Sequence, residues 1–462
     1  MNEDAIPYLT DWRNFSTGRA LAVVRPANAQ QVAKIVQLSS HAGVPIVPQG
    51  GNTGQVAAAT PDDTGTAIVI SMQRLNRIRA IDTDNDTITV EAGCILQAVQ
   101  EAAKSANRLF PLSLGAEGSC FIGGNLATNA GGTQVLRYGN ARELTLGLEV
   151  ITAEGAVWNG LRGLRKDNTG YDLRDLYIGS EGTLGIITAA TLKLFPLPNA
   201  QRTSLLALGS LDDAAAVLRL ARSHLGASLT GFEVMSRECM DLVVQTYTQQ
   251  HLPFISPPEG AEWYGLLELS DSEDEAHATL RFESVLEAAM ESGCLIDAAI
   301  SSSQAQSDAF WHLRESITLA LAENGYCIKH DISLPVSIIP AFVRSTNIEI
   351  QQRYPGARMM VFGHLGDGNL HYNLLGPASA DRQSVAGRES EIQALVHDRV
   401  VAAGGSISAE QGIGSRRVDD LARYKDPVEL ALMHRIKHAL DPENIMNPGK
   451  VLGLSATHSS TR

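Results

Sequence analysis

The chain has 462 residues, 44% hydrophobic and 19% charged, which excludes a disordered polypeptide and exceeds what one ordinary core holds, so two or three domains are expected. Its 37 basic and 51 acidic residues give a net charge of -14, which argues against a nucleic-acid partner and requires a local cationic pocket for any anionic substrate. No apolar run is long enough to cross a bilayer, the five cysteines (Cys94, Cys120, Cys239, Cys294, Cys327) form no C-x-x-C pair, and the acidic start Asn2-Glu3-Asp4 lacks signal- or transit-peptide features, so a cytoplasmic protein with free or buried thiols is the default expectation.

In chain order, apolar residues recur at helical spacing from Asn28, an N-cap, to Ala42. Val44 to Val47 reads as a strand, followed by the turn-rich Gly50 to Gly54. Ala67 to Ile70 and Thr87 to Val90 read as strands, and Ile95 to Ala106 as a helix. Phe195-Pro196-Leu197-Pro198 reads as a domain exit. Beyond it, helices are expected over Asp212 to His224, Asp274 to Ser292 and Ser307 to Asn324, with short strands between them. A last helix begins near Lys425-Asp426-Pro427, the chain closes with Asn447-Pro448-Gly449-Lys450, and the Ser/Thr-rich tail after Leu454 reads as disordered.

Three segments are dense in glycine and small residues: Pro48 to Gln55, Leu114 to Gly132, and Ile178 to Thr188. Successive glycines let backbone N–H groups converge on an anion, and small residues let a chain run flat against a ligand. None matches the G-x-G-x-x-G fingerprint, so a dinucleotide site without a Rossmann helix is expected. These segments resemble the FAD-binding domain of the vanillyl-alcohol oxidase/PCMH flavoprotein family. The resemblance implies an α+β fold: a two-part PCMH-type FAD-binding domain (residues 1–197), an α+β substrate domain with an antiparallel sheet and a metal site (198–425), and a C-terminal segment returning to the first domain (426–462). It implies FAD contacts at Pro48, Gly50, Gly51, Asn52, Thr53, Gly54, Gln55, Gly115, Ser119, Gly123, Gly124, Asn125, Asn129, Glu181, Gly182, Gly185, Ile187 and Asn447. The first loop has no histidine of the kind some members use to attach flavin, so the FAD is expected to be non-covalent.

The run Phe362-Gly363-His364-Leu365-Gly366-Asp367-Gly368-Asn369-Leu370-His371-Tyr372-Asn373 reads as a hairpin turning at Asp367-Gly368. In that register 364 pairs with 371, which sets the two imidazoles on one face, Cβ atoms roughly 5 Å apart. Asn373 points to the same face. With Glu410 the two histidines make a ligand set for Zn²⁺ or another transition metal. This hairpin resembles the D-2-hydroxyacid dehydrogenase branch of the family, which acts on D-2-hydroxyglutarate, D-lactate and glycolate.

The resemblance implies hydride transfer from a D-2-hydroxy acid to flavin N5, the metal polarising the hydroxyl. Arg314, Thr318 and Lys329 match positions that hold the substrate carboxylate, and an Arg with a Lys suits D-2-hydroxyglutarate or a similar dicarboxylate; D-lactate or glycolate is the alternative. Where the branch reads Glu-His-Gly, this chain reads Glu410-Gln411-Gly412, and glutamine cannot act as a base near neutral pH. His330, His364 and a hydroxide on the metal stay open as the base, and a catalytically impaired FAD- and metal-binding subunit stays open as another class. A metal-dependent hydrolase whose glycines bind a nucleotide is a further reading. No haem or cluster motif is present, so electrons are expected to leave to an electron-transfer flavoprotein or a quinone; a homodimer is left open.

Overall fold

The computed structural model describes residues 3–14, 16–376 and 385–453; the Ser/Thr-rich tail lies outside these. The chain divides into two compact units, one made of residues 1–132, 139–197 and 410–462, the other of residues 133–138 and 198–409.

The first unit holds β1 (Ala22–Val24), β2 (Ile46–Gln49) and β3 (Ile68–Ser71) in a parallel sheet ordered β1-β3-β2. A second, antiparallel sheet is ordered β4-β5-β9-β7-β8, from β4 (Ile78–Asp82), β5 (Thr87–Glu91), β7 (Thr145–Thr152), β8 (Val157–Gly160) and β9 (Gly185–Lys193). A separate short pair joins β6 (Arg108–Leu109) to β10 (Phe195–Pro196). The helix Ala29–Ala42 begins where Asn28 Oδ1 accepts from Gln31 N at 2.9 Å and stops at Gly43, whose φ of 62° ends the ladder. Its apolar face, Val32, Ala33 and Val36, packs on Ile46, Ile70 and Ile151. Ile445 and Met446 belong to the same core, and Ile46 forms a parallel bridge with Met446, so residues far beyond β2 in the sequence join this unit's first sheet.

The second unit is built on one antiparallel sheet ordered β14-β11-β13-β12-β17-β18-β15, with β16 also on β18. Its strands are β11 (Ala200–Leu208), β12 (Leu229–Ser236), β13 (Trp263–Asp271), β14 (Asp297–Ile300), β15 (Cys327–Ile328), β16 (Asp331–Ser333), β17 (Arg358–His364) and β18 (Asn369–Leu375). Ser210, Asp274 and Ser303 each cap a helix through a side-chain oxygen, which sets the starts of Leu211–Leu225, Glu275–Glu291 and Gln304–Glu323. The cap at Ser303 places the third helix three residues ahead of the Ser307 expected from apolar spacing. Side chains alternate along strands. Met235, Leu266, Met360 and Phe362 therefore share one sheet face, which packs on Phe310, Leu313 and Ile317 of the helix Gln304–Glu323. On the opposite face, Tyr372 meets Phe342 of the helix Ile339–Arg353 at 5.8 Å between ring centres.

Candidate active site

In the first unit, Pro48, Gly50, Gly123, Gly124, Glu181, Gly182, Gly185 and Ile187 line one cavity, together with Ala127, Thr128 and Ser180. The three small-residue segments thus converge. A Cβ on Gly51 would stand 2.2 Å from Ser119 O, so the first two loops touch through backbone. A Cβ on Gly124, or on Gly54 or Gly115, would meet nothing within 4 Å, which leaves open volume beside the backbone where a flat cofactor fits.

The polar residues expected here brace the loops. Asn52 Nδ2 donates to Thr10 O at 2.8 Å, and Gln55 Oε1 accepts from Arg13 Nη1 at 3.4 Å; Thr53 lies between them in the same turn. Ser119 Oγ donates to Ala116 O at 3.3 Å, Asn125 Nδ2 to Cys120 Sγ at 3.5 Å, and Asn129 Oδ1 accepts from Arg142 N at 2.9 Å. Asn447 Nδ2 donates to Ala58 O at 2.9 Å and to Glu181 O at 2.8 Å, tying the C-terminal segment to two loops. Glu181 has a φ of 52°, and its carboxylate accepts from Ile413 N and Gly414 N, each at 2.8 Å. Burial pushes its pKa up, opposed by those two donors.

In the second unit, the hairpin forms with a different register. His364 pairs with Asn369, Phe362 with His371 and Met360 with Asn373, and the loop spans Leu365 to Gly368. The expected pairing of 364 with 371 is therefore corrected: the register slips by two residues along the first strand, because a four-residue loop replaces the two-residue turn. The loop's own hydrogen bonds show why, since His364 O accepts from both Asp367 N and Gly368 N. A slip of two residues preserves the face. His364 and His371 remain on the same side, ring centres 5.7 Å apart, as diagonal rather than directly opposed neighbours.

Ligand atoms of His364, His371 and Glu410 all lie within 4.8 Å of one another. Glu410 follows Ala409, whose N donates to Asp331 O at 3.2 Å. Asp331 in turn pairs with His371 across β16 and β18. Burial pushes the His371 imidazole down to about 3, with Asp331 opposing, so the ring is neutral at physiological pH, the form that ligates a metal. The donor set fits a divalent transition metal: two neutral imidazoles and one carboxylate.

Around this cluster, Arg314 Nε donates to Glu233 Oε2 at 2.9 Å, and its guanidinium lies 4.7 Å from the Phe362 ring centre. Thr318 stands one turn further along the same helix and is half-buried. Lys329 falls between the pairs Ile328–Leu374 and Asp331–His371, hence across from Asn373 and on the His371 face. Asn373 is buried, its Oδ1 accepting from His330 N at 3.2 Å. Gln411 Nε2 donates to Glu410 Oε1 at 3.4 Å. His330 is set apart from these groups. Its Nδ1 meets Tyr372 O at 2.7 Å, and its ring packs on Tyr372 and His397, on the face opposite His371. That placement removes His330 from the open set of bases.

Sequence reasoning missed Glu233. Its Oε1 meets His364 Nδ1 at 2.6 Å, and it is 1% exposed. Burial pushes its pKa up, but the charges and hydrogen bonds of His364 and Arg314 outweigh burial and hold it at about 2. The available signal was a lone acid in the strand Leu229–Ser236, which is buried throughout, since a buried carboxylate must find partners.

A cavity lined by small residues in the first unit, and two strand-borne histidines gathered with Glu410, define a protein with a cofactor site and a metal-ligand set. Residues 20–160 match the family described as FAD binding domain, and residues 197–451 match FAD linked oxidases, C-terminal domain. The chain belongs to the FAD-linked oxidase family and is an FAD-dependent oxidoreductase. It is similar to the mitochondrial D-2-hydroxyglutarate dehydrogenase of Bos taurus, 38% identical over 97% of this chain and 80% of that one. It is similar also to the D-2-hydroxyglutarate dehydrogenase of Xanthomonas citri pv. viticola, 38% identical over 96% of this chain and 92% of that one. Among solved structures, p-cresol methylhydroxylase with substrate bound shares the fold, with a TM-score of 0.74 at 16% identity over 98% of this chain and 93% of that one. The cytoplasmic expectation is overturned: relatives from Bos taurus, Rattus norvegicus and Arabidopsis thaliana are named mitochondrial. Among the described residues no helix is long and apolar enough to cross a membrane.

Proposed function

We propose that this protein oxidises a D-2-hydroxy acid to the 2-oxo acid, with D-2-hydroxyglutarate or a similar dicarboxylate as substrate. The observation that carries the reading is the meeting of His364, His371 and Glu410 ligand atoms within 4.8 Å. The kinship to D-2-hydroxyglutarate dehydrogenases supports it. Bound FAD, non-covalent and held along the Pro48–Gln55, Gly115–Asn129 and Glu181–Ile187 segments, supplies the hydride acceptor at N5. A divalent metal, zinc by its donor set, supplies Lewis acidity at the substrate hydroxyl.

The chain's own residues do the rest. His364, His371 and Glu410 would hold the metal. Arg314 presents its terminal amino groups to a carboxylate: among the described residues its guanidinium makes one hydrogen bond, through Nε. Lys329 and Thr318 complete the anion site, and the two cations favour a dicarboxylate over lactate or glycolate. Asn373 orients the hydroxyl through its amide N–H groups, its Oδ1 being held by His330 N. Gln411 serves as a hydrogen-bonding neighbour of Glu410, and the hydroxyl proton goes to a base other than Gln411. The electrons taken from the acid would leave to an electron-transfer flavoprotein or a quinone.

The test is anaerobic mixing of the flavin-loaded, metal-loaded protein with D- and L-2-hydroxyglutarate, malate and lactate, and with glycolate. Rapid bleaching of the flavin by D-2-hydroxyglutarate, abolished by a chelator, is expected. A flavin that stays oxidised with every acid overturns the proposal.

A further inference from the structure

Glu233 stands between two groups that the proposed chemistry needs. One carboxylate oxygen meets His364 Nδ1 at 2.6 Å, and the other accepts from Arg314 Nε at 2.9 Å. The residue lies on β12, whose neighbours Val234 and Met235 pair with Gly363 and Phe362, so its place opposite His364 is fixed by sheet register. At 1% exposure it cannot reach solvent, and burying a carboxylate is unfavourable unless its oxygens are engaged.

Each contact has a chemical consequence. An imidazole that donates its Nδ1 proton to a carboxylate presents the Nε2 lone pair, the atom that would ligate a metal. A guanidinium held at Nε keeps its two terminal amino groups for a bidentate anion. The Phe362 ring, 4.7 Å from the guanidinium carbon, fixes the plane of that fork. The second histidine is held differently: His371 Nδ1 lies 3.9 Å from Asp331 Oδ1, which accepts from Asn369 Nδ2 at 2.9 Å.

We infer that Glu233 is a positioning residue that sets, with one carboxylate, both the metal-binding tautomer of His364 and the substrate-facing orientation of Arg314. The inference rests on the proposed metal-assisted oxidation. It makes metal affinity and substrate affinity answer to the same side chain, although Glu233 touches neither ligand.

Glu233→Gln tests it, because an amide has one acceptor oxygen and cannot serve both donors. Metal affinity, read by chelator competition, is expected to fall about tenfold to a hundredfold. With saturating zinc, KM for the D-2-hydroxy acid is expected to rise about tenfold, more than kcat falls, because the ground-state fork on Arg314 is loosened. FAD content per chain stays at the wild-type value. Glu233→Asp, which keeps the charge but is too short to span both partners, is expected to show the same two losses and decides the matter if the glutamine variant does not fold. Wild-type metal affinity and KM in a folded variant overturn the inference alone. A wild-type protein that neither takes up metal nor bleaches with any acid overturns the proposed function, and the inference with it.

Discussion

On β13, Glu268 has its carboxyl in the core, where Trp311 Nε1 donates to Oε2 at 2.8 Å and Thr230 Oγ1 to Oε1 at 3.1 Å. No Lys, Arg or His among the described residues pairs with it. Burial pushes its pKa up, and the two hydrogen bonds only oppose. A carboxyl whose folded pKa is raised contributes stability that is present below its unfolded value and lost as pH rises through the folded one. Glu268→Gln is therefore expected to raise Tm at neutral pH by about 2 °C or more, and to have less effect near pH 4, measured by thermal unfolding at both pH values. The amide fits the same partners, its oxygen accepting from Trp311 and its NH₂ donating to Thr230. At this scale the sequence named His364, His371 and Glu410 through residue type and motif. It could not name Glu233, which lies 131 residues from His364 and becomes its neighbour only when β12 pairs with β17.

The hairpin that carries both histidines depends on its loop. Gly368 has a φ of 88°, and a Cβ there would stand 2.3 Å from Leu334 O, so both the backbone conformation and the space exclude a side chain. Gly368→Ala is expected to destabilise the second unit by about 1–3 kcal/mol and to weaken metal binding, read by thermal unfolding and metal content. Apolar spacing and caps made most elements legible: the helices at Asn28, Asp212 and Asp274 start within a residue or two of their expected positions. Asp-Gly announced a turn, yet the dipeptide does not state loop length. The backbone donors of Asp367 and Gly368 both turn in to His364 O, and that closure, which no pattern of residue types encodes, sets the register.

The cofactor cavity lies wholly in the first unit and the sheet with the histidine pair wholly in the second. Flavin retention and metal retention are thus expected to separate: chelation leaves the yellow colour intact and abolishes substrate-driven bleaching. Recovery of bleaching on adding zinc back, followed in one cuvette, checks this; loss of flavin on chelation contradicts it. The second unit's long stretch begins at Pro198, at the end of Phe195-Pro196-Leu197-Pro198, a run with a visible compositional break. The residues 133–138, counted with the second unit though they sit amid the first in sequence, were not legible, because they carry no compositional break.

Ile46 N donates to Ile445 O and Asn447 N to Ile46 O, so the sheet that begins with the first fifty residues is closed by residues made after the whole of the second unit. On the ribosome, the order of completion inverts the order of synthesis. The second unit has all its strands once residue 409 has emerged, while the first waits, its β2 edge unpaired, for residues 445–447. The nascent flavin domain is therefore the portion exposed to chaperones longest.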